Sequence, residues 1–267
     1  MSESIFGLDE LILNDNEEFG LSWANLGFWN GDHSYSEAGM NLALELGKSL
    51  KLSQKDSVLD VGFGLGEQLF LWHRYFQIKS ISGINPSKIQ IDYAKSRVAK
   101  EGLEESIFLY SGNSRDIVKF ESKKFDKIIA LDCAYHFDTR MKFLKDSVDL
   151  LSKGGSLGII DIFPTEKMLK WPAKIIKSMI SKFFLIPRNN LISMYEFKLE
   201  IEKMGVFELE ITDISENVFP GFCRYMDKKS IKEEPKLKKM KITAKLLKFC
   251  HSRDYIRAFK IILRKND

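Results

Sequence analysis

The stretch VLDVGFGLGEQLFL, from Val58 to Leu71, constrains this chain more than any other. A short apolar strand ends at Asp60 and Val61, a turn follows with glycines at Gly62, Gly64 and Gly66, and an amphipathic helix begins. Such a turn brings bare backbone N–H groups and a helix N-terminus up to a ligand. By itself the signal is weak; its specificity depends on what surrounds it.

The surroundings alternate between strand and helix. Strands are expected at Ser57–Val61, Ile78–Ile84, Ile107–Tyr110, Phe125–Asp132 and Ser156–Phe163, then at Phe207–Asp213 and Tyr255–Arg264. The last two form an antiparallel pair at one sheet edge. Ser34 starts a helix with Glu37 at capping-box spacing, and Ala38, Leu42, Leu46 and Leu50 give it a buried stripe. Further helices are expected from Gly66 to Phe76, and from an Asn85 N-cap with Pro86 at N1 to Lys100, stopped by Gly102. Asp138 is positioned to cap a helix striped by Met141, Leu144, Val148 and Leu151, ended by Gly154-Gly155. An amphipathic basic helix spans Met168–Phe184, bounded and bent by Pro172 and Pro187, and another helix spans Leu191–Met204. Residues 215–226, SENVFPGFCRYM, read as a pocket-like loop. The order and spacing predict a doubly wound α/β domain with a parallel sheet, its ligand at the C-terminal strand ends.

At 267 residues, 44% hydrophobic and 29% charged, the chain suits one large soluble domain or one domain with a lid. The N-terminal MSESIFGLDELILND is too acidic for a signal peptide, and no uncharged apolar run is long enough to span a bilayer. The three cysteines share no CxxC spacing, which favours a reducing, cytoplasmic setting over a disulfide framework or a zinc site, so no metal is expected. The net charge of +4 is uneven: Glu166–Asn190 carries +5 and Lys228–Cys250 carries +7, leaving the rest acidic. The first segment reads either as a lid over the substrate or as an element lying on a membrane interface through residues 167–184. Solvated helix faces explain both segments equally well.

The turn is not an NAD fingerprint: its pattern is GxGxG, and the second strand ends in Asn85 rather than an acid. No GK[ST] follows, so it is not a phosphate loop. LDVGFGLGE at 59–67, SGINPSKIQIDYAKSR at 82–97, FDKIIALDCAYHF at 125–137 and DTRMKFLKDSVDLLSKGGSLGIIDIF at 138–163 together resemble class I S-adenosylmethionine-dependent methyltransferases. EITDISENVFPG at 210–221 resembles the tail of small-molecule and lipid-like members. The chain is most similar to the branch that includes sterol, sarcosine, macrolide-sugar and alkaloid methyltransferases, over most of residues 20–267. The resemblance implies a seven-stranded Rossmann-like sheet with helical lids at 164–192 and 215–252, and an arm and helix at 1–50 covering the active site. It implies S-adenosyl-L-methionine as cofactor and S-adenosyl-L-homocysteine as product. Asp60, Gly62 and Gly64 would shape the loop beside the methionine moiety, with Gly66 opening the helix beneath. Asn85, with Gln90 nearby, would address the ribose, and Asn113 with Ser114 the adenine. Leu131 and Asp132 would close the fourth strand near the sulfonium. The family usually has acids where Asn85 and Asn113 stand, so two charge-assisted bonds are forgone.

Methyl transfer needs a nucleophile aligned with the sulfonium, water excluded, and at times a proton accepted. His136 and Tyr135 follow the fourth strand, where the reacting centre belongs, and are the candidate catalytic residues: His136 as base or substrate contact, Tyr135 as hydrogen-bond donor or sulfonium-facing ring. Each reads equally well as an ordinary packed side chain. Trp23, Trp29 and Tyr35 in the aromatic arm, with Phe219, Phe222, Arg224 and Tyr225, are candidates for the substrate pocket. The substrate reads either as a lipid-like or prenylated molecule or as a small soluble metabolite, with an O, N or C acceptor atom. Nucleic acid is not an expected partner, since the basic segments are not interleaved with aromatics of a nucleic-acid module. The chain is expected to act as a monomer or homodimer. A non-catalytic scaffold or membrane-surface partner of the same fold is the alternative.

Overall fold

The computed structural model describes residues 23–170, 174–229 and 238–266. Seven strands form one sheet: β1 (Ser57–Val61), β2 (Ser80–Asn85), β3 (Ile107–Ser111), β4 (Phe125–Leu131), β5 (Leu151–Pro164), β6 (Phe207–Asp213) and β7 (Ile256–Lys265). Their order is β3-β2-β1-β4-β5-β7-β6. The first five run parallel, and β7 lies antiparallel to both β5 and β6. This is the Rossmann-like sheet of class I methyltransferases. The two tail strands pair as the sequence implies, with β7 inside and β6 at the edge.

Helices cover both faces. In order they are α1 (Tyr35–Ser49), α2 (Glu67–Tyr75), α3 (Lys88–Glu101), α4 (Arg140–Leu150), α5 (Glu166–Leu169), α6 (Lys174–Phe183), α7 (Met194–Met204), α8 (Ser215–Lys228) and α9 (Lys238–Ser252). Strand periodicity sorts the core into two layers. Val58, Ile81 and Ile129 face Leu42, Leu46, Trp72 and Phe222 on one side. Their neighbours Leu59, Ile84 and Ile128 face Phe143, Leu144 and Phe197 on the other. Burial on both faces explains why the central strands read as continuous apolar runs. Chain order reverses between β1 and β4, which lie side by side, so a crevice opens beyond their C-terminal ends.

Several boundaries differ from the sequence expectation. The α3 cap is Ser87, which accepts from the Gln90 N–H; Asn85 still belongs to β2, opposite Ser111 of β3. Thr139, not Asp138, caps α4. That helix ends at Leu150, because Leu151 is already paired with Phe125 of β4. Gly154 and Gly155 therefore lie inside β5, where Gly154 takes φ +67° beside a shift in register. The basic segment is two helices, α5 and α6, and Pro172 lies outside the described residues. Residues 215–226 are helix α8 rather than loop, with Pro220 inside it.

Candidate active site

The turn after β1 forms the floor of the crevice. Gly62 sits at φ +85° and donates its N–H to Ile84 O at 2.8 Å. A Cβ there would lie 2.8 Å from Cys133 Sγ, so only glycine lets the β1 and β4 loops meet. Gly62 and Gly64 line a cavity of about 440 Å³. Gly66 does not; it is the N-cap of α2, packed toward Ala94. Asp60 lies beneath the floor, fully buried, and accepts from Trp72 Nε1 at 2.7 Å and Gln68 Nε2 at 2.8 Å. Burial pushes its carboxyl up to about 7 against those two hydrogen bonds. Its place beside the methionine moiety is thus indirect: it ties β1 to α2 and holds the turn from below.

The second and third strand ends supply amides. Asn85 and Gln90 are buried cavity walls, joined by Asn85 Nδ2 donating to Gln90 Oε1 at 2.6 Å. Asn113 is exposed at the rim, and Ser114 beside it is buried. Asn113 Oδ1 accepts from the Arg115 N–H at 2.8 Å, and its own N–H donates to Asp116 Oδ2 at 2.9 Å, a self-contained turn. Arg115 reaches across to Asp138, donating Nε–H to its carbonyl at 2.9 Å. Leu131, Asp132, Tyr135 and His136 make the fourth wall, and Trp23, Ala24 and Asn25 of the arm close over it. Asp132, at φ +53°, accepts the Leu26 N–H at 2.8 Å and so anchors that arm. Burial raises its carboxyl to about 8, partly offset by that hydrogen bond.

A second, smaller cavity of about 80 Å³ lies behind Tyr135 and His136. Its walls are mostly apolar: Met168 of α5, Ile180 and Phe183 of α6, and Met240, Leu247 and Cys250 of α9. Tyr135 and His136 line both cavities, with ring centroids 4.2 Å apart. Burial lowers the His136 imidazole to about 4, although the Leu185 carbonyl, 3.5 Å from Nδ1, favours a proton there. Burial also holds the Tyr135 phenol well above its ordinary range.

Residues 59–159 match the methyltransferase domain family model. Erythromycin 3''-O-methyltransferase of Saccharopolyspora erythraea is 28% identical over 222 residues, 81% of this chain and 72% of that protein. The fold superposes on a putative sarcosine dimethylglycine methyltransferase from Galdieria sulphuraria with TM-score 0.77 at 17% identity, covering 91% of this chain and 93% of that one. It also superposes on geranyl diphosphate C-methyltransferase from Streptomyces coelicolor A3(2) with TM-score 0.76 at 15% identity, covering 92% and 89%.

The chain has the Rossmann-like class I methyltransferase fold. In this chain the loop between β4 and α4 is held by a buried network that sequence reasoning missed. Arg140 is 1% exposed and Asp161 0%. Arg140 donates through Nε to Asp161 Oδ2 at 2.5 Å and through its terminal nitrogens to the carbonyls of Asn190 and Ile162, both at 2.8 Å. Asp161 Oδ1 accepts the Tyr135 N–H at 3.1 Å. Asn190 Nδ2 donates to the carbonyls of Tyr135 and Phe137 at 3.1 and 2.6 Å. The signal available in the sequence was an aspartate inside the otherwise apolar strand GSLGIIDIF.

The aromatic candidates for the substrate pocket lie elsewhere. Trp23 lines the larger cavity rather than the apolar one. Trp29, Tyr35, Phe219, Phe222 and Tyr225 line neither cavity. Tyr225 packs 5.5 Å from Trp29 and 5.7 Å from Tyr35, and the Tyr35 hydroxyl donates to Asn25 O. These rings fasten the arm and α1 to α8. Phe219 is fully buried beside the His251 ring, and Arg224 is exposed on the outer side of α8. The apolar cavity is instead walled by α5, α6 and α9: Met168, Ile180 and Phe183 come from the amphipathic segment read as a lid over the substrate, and Met240, Leu247 and Cys250 from the second lid segment.

Proposed function

We propose that the protein transfers the methyl group of S-adenosylmethionine to an O, N or C nucleophile of a small, apolar, lipid-like or prenylated metabolite. The observation that carries this reading is the pair of adjoining cavities, one with amide, hydroxyl and carboxyl groups in its walls and one mostly apolar, that share the Tyr135–His136 wall. The larger cavity fits the cofactor in size and in donor set. Gly62 and Gly64 line it with bare backbone, at φ +85° and +57°. Asn85 and Gln90 present amides that can donate to and accept from ribose hydroxyls. Ser114 and Asn113 stand at the adenine end, and Leu131 with the acidic Asp132 at the methionine end. When bound, S-adenosylmethionine supplies a methyl group on a sulfonium and leaves as S-adenosyl-L-homocysteine.

The chain's own residues bind, orient and exclude water. Tyr135 and His136 separate the cavities and so define the line along which a nucleophile approaches. With its imidazole lowered to about 4, His136 is neutral at pH 7. A proton on Nδ1, toward Leu185 O, leaves Nε2 to accept a hydrogen bond from an acceptor hydroxyl or amine. His136 therefore orients the acceptor and takes its proton only in passing. Tyr135, protonated throughout, can only donate through its hydroxyl or present its ring face.

The first test is calorimetric titration with S-adenosylmethionine and S-adenosylhomocysteine. Both are expected to bind, and Asn85→Ala to weaken both by roughly tenfold through one lost ribose hydrogen bond. Absence of binding by either ligand would overturn the proposal and leave a scaffold that keeps the fold without the cofactor.

A further inference from the structure

Helix α9 has two faces with different tasks. Met240, Thr243, Leu247 and Cys250 turn inward and line the apolar cavity. The opposite face carries Lys238, Lys241, Ile242, Lys245, Lys248 and Phe249, recurring at three and four residues. Ile242 is 46% and Phe249 42% exposed, although both are large and apolar. The patch continues past the helix: Arg253 lies 5.6 Å over the Phe249 ring, and Lys167 of α5 lies 5.8 Å from the Tyr255 ring. The end of α6 carries a similar group, Lys182, Phe183 and Leu185, the last 53% exposed, and Phe183 lines the same cavity as the inner face of α9.

The charge on this face is unlike that of the other outer helices. On α4 and α7 the lysines pair with acids of the same helix: Lys142 with Asp146, Lys198 with Glu202 and Lys203 with Glu200. Helix α9 has no Asp or Glu along its length. The acids at the border of the patch are engaged: Asp227 with Lys248, Glu216 with His251 and Asp254 with Arg257. Lys238, Lys241 and Lys245, with no acid on their own helix and interleaved with the exposed Ile242 and Phe249, form the pattern of an interfacial helix. The lysines complement anionic headgroups, and Ile242, Phe249, Phe183 and Leu185 complement the acyl boundary.

We propose that the outward face of α9, with the end of α6, docks the protein on an anionic lipid bilayer and sets the mouth of the apolar cavity against it. The docking stands on this face alone. That the acceptor then enters from the bilayer rests on the reading of the apolar cavity as the acceptor pocket.

The test is sedimentation of the full chain with phosphatidylcholine vesicles, with and without phosphatidylserine. Binding is expected only with phosphatidylserine and is expected to weaken as salt rises. The triple variant Lys238→Glu, Lys241→Glu, Lys245→Glu is expected to lower partition by about 100-fold or more, since each lysine near such a surface is worth about fivefold. Ile242→Ser with Phe249→Ser, which leaves the charge intact, is expected to lower it roughly tenfold. All five positions are surface positions, and thermal melting checks that each variant folds. Full vesicle binding by the apolar variant, equal binding without phosphatidylserine, or tighter binding to an RNA homopolymer would overturn the docking. Cofactor calorimetry on the same variants separates the two readings: docking fails with cofactor binding intact if only this inference is wrong, and the reverse if only the proposed function is.

Discussion

Asp60, Asp132 and His136 are three buried or half-buried titratable groups, and they bias stability in opposite directions with pH. Asp60 moves from its ordinary 3.8 to about 7 in the folded chain, chiefly through burial. Between those values the folded state holds a proton that the unfolded state has released, so stability falls as pH rises through that window. Asp132 does the same up to about 8. His136 moves down from 6.5 to about 4, so the unfolded state holds the extra proton and stability rises from pH 4 to 6.5. Urea denaturation across a pH series should therefore show Asp60→Asn flattening the fall between about pH 4 and 7. The amide oxygen still accepts from Trp72, and Gln68 can turn its own amide to present an oxygen. An unchanged slope would mean that Asp60 ionises as a hydrated carboxylate does. At this scale position was legible: Asn85, Gln90, Ser114 and Asp132 all line one cavity of about 440 Å³. Role was not legible where it depends on a partner far along the chain, as for Asp161 and Arg140, 21 residues apart.

Among the elements, α8 shows how a local signal can mislead. Pro220-Gly221 reads as a turn, yet both lie within a helix that buries Val218, Phe219, Phe222 and Met226. Their spacing of three and four is a helical stripe, and its burial outweighs the roughly 3 kcal/mol that an interior proline costs. Gly221 has a tertiary reason to be glycine. A Cβ there would lie 2.1 Å from Trp29 Cγ and 2.2 Å from Trp29 Cβ, and the Trp29 N–H donates to Asn217 O at 2.7 Å. Glycine to alanine inside a helix normally stabilises by about 1 kcal/mol. Gly221→Ala is expected to have the opposite sign, a loss of about 1–3 kcal/mol from overpacking, read as a lower melting temperature. Because the displaced arm contributes Trp23, Ala24 and Asn25 to the cavity proposed for the cofactor, cofactor affinity should fall with it. A stabilised Gly221→Ala protein would show that the arm does not pack on α8 in solution.

Over the whole molecule, topology was the most legible property, because hydrophobic period and glycine turns recur in chain order and right-handed crossovers leave few arrangements. What chain order could not convey is how the end of α6 is joined to the loop that carries Tyr135 and His136. That joint is the Arg140 network. It gathers the start of α4, the middle of β5, the Tyr135–Phe137 backbone and Asn190, which follows α6. Removing one member leaves the others buried without a counterpart. Arg140→Met is expected to cost about 3–5 kcal/mol by stranding the Asp161 carboxylate. Adding Asp161→Leu should return part of that loss, giving a coupling of about 1–3 kcal/mol, while the carbonyls of Asn190 and Ile162 stay without their donor. Additive losses would mean that the two residues do not act as a unit. The kinetic consequence separates this joint from general stability. Asn85, Gln90 and Ser114 belong to β2, α3 and the loop after β3, away from the network, while Tyr135 and His136 wall both cavities, so cofactor affinity should fall less than turnover in any variant that remains folded. Turnover with the acceptor should fall, because the Tyr135–His136 wall loses its fixed position between the two cavities. Equal losses on the cofactor and acceptor sides would instead assign Arg140 to the frame as a whole and remove it from the positioning of that wall.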